Sequence, residues 1–105
     1  KVAEASARLA HYAHGVLTEI EGVEATSTAA FFQEFSLRLP AKAETVYRTL
    51  AERNIGGGLP LGRYFPERKD EMLFAFTELS TKEDIDTLAS ELALVFSKDL
   101  REANA

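Results

Sequence analysis

The residues with the clearest potential for binding chemistry fall in two short segments, Arg63-Tyr64 and Thr77-Glu78. Thr77 and Glu78 end an apolar run that starts at Met72, and a side chain at a strand end is positioned by the rigid scaffold behind it. Arg63 and Tyr64 are predicted to lie on a neighbouring strand and to face the same opening. There the planar guanidinium of Arg63 could bind a carboxylate through two hydrogen bonds. The alternative is an ion pair at a turn, between Arg63 or Arg68 and a nearby acid, which contributes little stability.

A run of three glycines, Gly56-Gly57-Gly58, raises the question of a phosphate-binding loop. A Walker loop requires Gly-Lys-Ser/Thr, which is absent, and a dinucleotide fingerprint requires a strand before the glycines and a helix after them. Here a predicted helix precedes the glycines and a proline-containing segment follows. The run therefore predicts a tight connection into an edge strand, because Pro60 would cost a ladder hydrogen bond in a central one.

The remaining titratable clusters have structural explanations. His11 and His14 lie three residues apart on a predicted helix, but a metal site needs further ligands and no pattern singles them out. Glu83, Asp84 and Asp86 fall in the first turn of another helix, where carboxylates interact favourably with the helix dipole. Spacing supports no serine–histidine–aspartate or cysteine–histidine arrangement. The sequence thus predicts no catalytic residue and no metal ligand, and it identifies no cofactor-binding residue.

Composition limits the class of protein. The chain has 105 residues, of which 46% are hydrophobic and seven are Phe, so it is predicted to fold as one domain. Its 17 acidic and 12 basic residues give a net charge of −5, without a basic cluster, which argues against nucleic-acid binding. The absence of cysteine excludes disulfides and fits a cytoplasmic location. No apolar run approaches the length of a membrane span.

Hydrophobic periodicity predicts the order helix, strand, helix, strand, strand, helix. The helices are predicted at 2–20, at 42–53 and from 80 onward, and the strands at 31–39, 61–65 and 72–77. Residues 23–30 are predicted to form a connector. Three strands with helices packed on one face make a two-layer α+β domain.

The same patterns predict the core positions and the helix ends. The core positions are Val2, Ala5, Leu9, Tyr12, Ala13, Val16 and Ile20 in the first helix; Phe31, Phe35, Leu37 and Leu39 in the first strand; Val46, Tyr47, Leu50 and Ala51 in the second helix; and Ile85, Leu88, Ala89, Leu92, Val95 and Phe96 in the last. Asn54 is predicted to end the second helix in the left-handed conformation. Ser80 and Glu83 fit a capping box at the start of the last helix.

Three segments together resemble one enzyme family. They are FFQEFSLRLP at 31–40, IGGGLPLGRYFP at 55–66, and LFAFTE at 73–78 followed by TKEDID at 81–86. The combination resembles the P-protein family of the glycine cleavage system, glycine dehydrogenase (decarboxylating), and specifically subunit 1 of its two-subunit form. Arg63, Tyr64, Thr77 and Glu78 fall within these matching segments.

The resemblance implies a fold and a function. Residues 1–105 would be the single C-terminal small domain of a fold-type-I pyridoxal-phosphate enzyme, with a mostly antiparallel three-stranded sheet in an α+β core at 31–105. Residues 1–22 would form the helix that links it to a large domain. Such an enzyme decarboxylates glycine on pyridoxal phosphate and passes the aminomethyl group to the lipoyl H-protein. The cofactor lysine would belong to the second P-protein subunit. The resemblance therefore implies that this segment alone binds no cofactor and is inactive.

Two other functions are open at this point. The chain could be a stand-alone regulatory module that binds a small molecule, for example a carboxylate at Arg63, or it could be a pure interaction domain. The first predicted helix begins at Lys1 with no cap residue and no initiating methionine. This start favours a segment of a longer protein, supporting an active site and a subunit interface.

Overall fold

The computed structural model describes the backbone of residues 2–26, 34–56, 58–76 and 80–104, and the side chains of these residues from 7 to 97. The elements in chain order are α1 (Val2–Thr18), β1 (Glu24–Ala25), β2 (Glu34–Arg38), α2 (Ala43–Glu52), β3 (Leu59–Pro60), β4 (Glu71–Ala75) and α3 (Lys82–Asn104). Two 3-10 turns, Leu61–Arg63 and Pro66–Arg68, connect β3 to β4. Within the described part of the chain, none of the helices combines the length and apolar composition of a membrane span.

The sheet has four antiparallel strands in the order β1-β2-β4-β3. The α+β class is confirmed, whereas the predicted count of three strands is wrong because β1 lies in the predicted connector. Glu24 pairs with Arg38 and Ala25 with Leu37. The Thr26 hydroxyl, just after β1, donates to the Ser36 carbonyl oxygen at 3.0 Å. A strand of two residues is too short to show an alternating pattern in the sequence. Its position depends on pairing with β2.

The predicted strand at 61–65 is also wrong. Sheet pairing ends at Pro60, which lies opposite Met72, and the chain then enters a 3-10 turn. The amides of Tyr64 and Phe65 both donate to the Leu61 carbonyl oxygen, at 3.1 and 2.9 Å. Because these donors are used within the turn, they cannot pair with β4.

The hydrophobic core lies on one face of the sheet. Side chains alternate between the two faces of a strand. The buried hydrophobic residues of β2 and β4 belong to one face and pack in one cluster with residues of all three helices, whereas buried Glu71 of β4 lies on the other face. The buried hydrophobic members are Ala10, Ala13, Leu17, Val23, Phe35, Leu37, Leu39, Ala43, Val46, Leu50, Met72, Phe74, Phe76, Ile85, Leu88, Leu92, Val95 and Phe96. The prediction of helices on one face is therefore confirmed. Glu34, Ser36 and Arg38 lie on the opposite, more exposed face, as predicted.

The helix faces were predicted with different success. In α3, every predicted position except half-buried Ala89 is buried. In α1 the predicted face omits Ala10 and Leu17, which are fully buried, although Leu9 and Tyr12 do pack against the core. In α2, Ala51 is exposed rather than buried. Val2 and Ala5 of α1 and Phe31 of the predicted first strand lie outside the described side chains.

The ends of two helices show how local hydrogen bonds fix the chain. Asn54 follows α2 with φ 61°, which confirms the predicted left-handed stop. At the start of α3 the Thr81 hydroxyl, not that of Ser80, accepts the hydrogen bond from the Asp84 amide at 3.0 Å. The predicted cap was thus one residue too early, because Thr81 and Asp84 repeat the spacing of Ser80 and Glu83.

Candidate functional site

A cavity of about 380 Å³ lies at the end of β4, between the loop that follows α2 and the first turns of α3. Residues from three parts of the chain line it: the loop after α2, the end of β4 with the residue that follows it, and the first turns of α3 with the residue before them. The described lining residues are Asn54, Ile55, Gly56, Gly58, Phe74, Ala75, Phe76, Ser80, Asp84, Ile85, Thr87 and Leu88. Its volume is within the range of small-molecule pockets, so it is the candidate functional site of the described chain.

The loop wall of this cavity is shaped by backbone conformation. After the left-handed Asn54, the Ile55 amide donates to the Leu50 carbonyl oxygen at 2.8 Å and returns the chain toward the core. Gly58 then lies directly on β4, where an added Cβ would be 2.3 Å from the Leu73 carbonyl oxygen. Only glycine allows this approach. Gly58 therefore provides a tight connection into the edge strand β3, as the sequence predicted, and Gly57 lies outside the described residues.

The chemistry of the lining does not suit a phosphate-bearing cofactor. The floor is apolar, built by the side chains of Phe74, Phe76, Ile85 and Leu88, and Asp84 supplies the only charged side chain among the described lining residues. A bound phosphate is stabilised by cationic side chains or by free amides at a helix N-terminus. Here the Asp84 carboxylate lies at the start of α3, and the Asp84 amide already donates to the Thr81 hydroxyl. The described residues therefore do not form a self-contained pyridoxal-phosphate site.

Thr77 and Glu78, the predicted mouth residues at the end of the apolar strand, lie outside the described residues. Phe76 and Ser80, on either side of 77–79, both line the cavity. A role for Thr77 and Glu78 at this mouth stays a prediction. The sequence did not single out Asp84 or Thr87 as cavity residues, because their place there depends on the approach of the 54–58 loop to α3.

Arg63 and Tyr64 lie in and just after the first 3-10 turn and are not among the cavity residues. The guanidinium of Arg63 binds both carboxylate oxygens of Glu44 on α2, with Nε–Oε1 2.7 Å and Nη2–Oε2 2.8 Å, and lies 4.8 Å from the centre of the Tyr47 ring. This hydrogen bonding lowers the pKa of the Glu44 carboxyl and raises the pKa of Arg63. Glu44 occupies the Nε–Nη2 edge of the Arg63 guanidinium, so a ligand carboxylate would be left with the remaining N–H groups on Nη1 and Nη2. The predicted mouth role of Arg63 and Tyr64 stays untested.

Potential metal ligands in the described part of the chain do not cluster. Among the described residues, no three side chains of histidine, aspartate or glutamate converge so as to hold a metal ion. His14 packs edge-on against Phe35, with ring centroids 5.0 Å apart.

Several curated proteins are similar to this chain. It is 41% identical over 83 residues to a probable glycine dehydrogenase (decarboxylating) subunit 1 from Moorella thermoacetica, covering 79% of this chain and 19% of that protein. Proteins with the same description from Methylococcus capsulatus and Staphylothermus marinus are 46% and 39% identical, over 75% and 93% of this chain and 17% and 22% of theirs. The chain thus spans about one fifth of the length of these relatives. No family model matches it.

Solved structures give the same result. A glycine decarboxylase (P-protein) of the glycine cleavage system, in inhibitor-bound form, is 40% identical with a TM-score of 0.81, covering 90% of this chain and 21% of that one. The cystine C-S lyase C-DES and a NifS-like protein share the fold, with TM-scores of 0.71 and 0.73 at 17% and 14% identity over 88% and 90% of this chain and 23% and 28% of theirs. These neighbours confirm the expected fold, that of fold-type-I pyridoxal-phosphate enzymes. Sequence and structure together confirm the predicted resemblance: the chain is a homologue of one segment of proteins described as glycine dehydrogenase (decarboxylating) subunit 1 and of a solved P-protein.

Proposed function

We propose that this chain is part of a glycine dehydrogenase (decarboxylating) of the glycine cleavage system. The observation that carries this function is the combination of 40% identity and a TM-score of 0.81 with a solved P-protein over 90% of the chain. The small share of each relative that is covered supports a segment rather than a whole enzyme. Residues 1–105 would form the C-terminal small domain, with residues 1–22 as the helix that links it to a large domain.

The cofactor of the parent enzyme would be pyridoxal phosphate, which serves as an electron sink when a carboxylate is lost from an amino acid. This segment would not hold the cofactor by itself, because its cavity offers one carboxylate and no described cationic side chain. Its contribution would be to position neighbouring protein. The packed cluster under β2 and β4 gives the rigid support that such a role needs.

The partners of the parent enzyme would be the second P-protein subunit and the lipoyl H-protein. The net charge of −5 argues against nucleic acid as a partner. We expect the parent enzyme to be located in the cytoplasm. A regulatory module that binds a carboxylate at Arg63 is less favoured, since that guanidinium is already bound by Glu44.

The function is tested by glycine–bicarbonate exchange together with cofactor absorbance. Three samples are compared: this chain alone, the full-length parent subunit, and the parent mixed with the second subunit and the lipoyl H-protein. Exchange in the third sample alone supports a subunit 1 segment with a structural role. Absence of exchange in all three, with saturable binding of a small molecule to this chain alone, would replace this function by the regulatory module.

A further inference from the structure

Two large aromatic side chains beside the sheet edge are exposed. Tyr64 is 63% exposed and Phe65 45%, and with Leu94 on α3 they are the exposed large hydrophobic residues among the described side chains. Single exposed hydrophobic residues are common, but aromatic residues are enriched at contacts between protein surfaces. Tyr64 and Phe65, with the flanking Arg63 and Arg68, are called here the aromatic–arginine patch.

The backbone under this patch is held in one conformation. Besides the two amides that bind the Leu61 carbonyl oxygen, the Arg68 amide donates to the Phe65 carbonyl oxygen at 2.8 Å. Gly62 lies against Lys69 so closely that an added Cβ would be 2.8 Å from the Lys69 Cα. A surface that is already ordered loses little conformational entropy when it is covered. The patch is therefore preorganised for contact.

The charges of the patch are neutralised within the chain. Arg63 is bound by Glu44, and Arg68 donates to Glu71 at 2.8 Å while its guanidinium lies 5.5 Å from the centre of the Phe65 ring. These carboxylates offset the positive charge of both arginines, so the attraction of the patch for phosphate groups or an acidic peptide is reduced. Aromatic residues and arginine are enriched at protein–protein contacts. The patch thus suits an apolar protein surface.

The size of the patch indicates where that surface belongs. The exposed fractions of Tyr64 and Phe65 add up to about one aromatic side chain, on the order of 200 Å². A stable contact between separate chains buries about 800 Å² on each partner. A surface on the same polypeptide has a high effective concentration and needs less area. The curated relatives are about five times as long as the part that matches this chain.

We propose that the aromatic–arginine patch packs against an apolar surface in the part of the same subunit that lies outside these 105 residues. This inference rests on the proposed function only in requiring a longer parent subunit. Tyr64 and Phe65 would be buried in that subunit before any second chain binds. Leu94, a single exposed side chain on α3 that is not part of the patch, serves as the comparison.

Hydroxyl-radical footprinting of the full-length parent subunit, alone, tests the contact. Oxidation of Tyr64, Phe65 and Leu94 is measured in the native subunit and normalised to the same residues in denatured subunit. The expected result is several-fold protection of both rings and weak protection of Leu94. Rings that react as readily as Leu94 would overturn the contact. Protection that arises only after the second subunit is added would overturn it in favour of a contact between chains.

Variants of the parent subunit give an independent readout. Tyr64→Ser combined with Phe65→Ser is expected to lower the melting temperature of the parent or to split its unfolding into two transitions. Leu94→Ser removes an equally exposed side chain elsewhere and is expected to change neither; equal effects from the two would contradict the contact. If both rings are protected in a parent subunit that shows no exchange activity, the contact is supported and the proposed function is rejected. If the parent is active and both rings react freely, the function is supported and the contact is rejected.

Discussion

Arg63 and Glu44 form a bidentate ion pair that links the first 3-10 turn to α2, with nitrogen–oxygen distances of 2.7 and 2.8 Å. The two residues are 19 positions apart in sequence, and their side chains are each more than one third exposed. The sequence predicts that Arg63 can bind a carboxylate through two hydrogen bonds. The carboxylate that it grips belongs to the same chain.

This pair predicts a pH dependence of stability. The pKa of Glu44 is lowered in the folded chain, first by its hydrogen bonds to Arg63. A lowered pKa means that the stabilisation is fully present above the ordinary pKa of a glutamate and is lost as pH falls through the folded value. Arg63→Gln should therefore reduce the melting temperature slightly at neutral pH and have no effect in acid, as measured by thermal unfolding across pH.

Arg48 provides the control for that measurement. Its Nε lies 3.7 Å from Glu44 Oε2 and its side chain is 76% exposed, so Arg48→Gln should have a smaller effect at neutral pH. An Arg63→Gln effect of the same size at low pH would show that Arg63 acts through packing on Tyr47 and not through the Glu44 charge.

Two similar substitutions in the glycine-rich loop are expected to change the free energy of unfolding by different amounts. An alanine Cβ at Gly58 would lie 2.3 Å from the Leu73 carbonyl oxygen and 2.8 Å from Met72 Cγ, whereas one at Gly56 would meet no atom within 4 Å. Gly58→Ala should lower the free energy of unfolding by about 1–3 kcal/mol, the range for overpacking. Gly56→Ala should change the free energy of unfolding by no more than about 0.5 kcal/mol. Chemical denaturation measures both, and equal values would contradict the position of the loop on β4.

The cap of α3 gives a third prediction. Thr81→Ala removes the acceptor of the Asp84 amide and should cost about 1 kcal/mol in the free energy of unfolding. Thr81→Ser keeps a hydroxyl and should retain most of that stability. Ser80→Ala is expected to have a smaller effect than Thr81→Ala, measured by denaturant titration. A larger loss of stability from Ser80→Ala than from Thr81→Ala would instead identify Ser80 as the capping residue.

The parts of the fold that sequence predicted are those with long, regular patterns. The buried positions of α3 repeat every three or four residues, and burial alternates from Phe35 in β2 to Leu39 just after it, so each pattern indicates its own buried face. Asn54 was predictable because its side chain tolerates the left-handed conformation.

The parts that sequence did not predict depend on contacts between distant residues. The β1 strand is only two residues long and exists through pairing with β2. Leu61 to Phe65 favours a strand by composition, but the Leu61 carbonyl oxygen accepts two amides within the turn. The cavity brings the 54–58 loop to Asp84 and Thr87, and no local pattern encodes that approach.

The most direct test of the proposed function is glycine–bicarbonate exchange by the full-length parent, with and without the second subunit and the lipoyl H-protein. A glycine dehydrogenase subunit 1 predicts exchange only when all three proteins are present, and none from these 105 residues alone. Absence of exchange from the complete mixture, with cofactor bound and all proteins folded, would contradict the function.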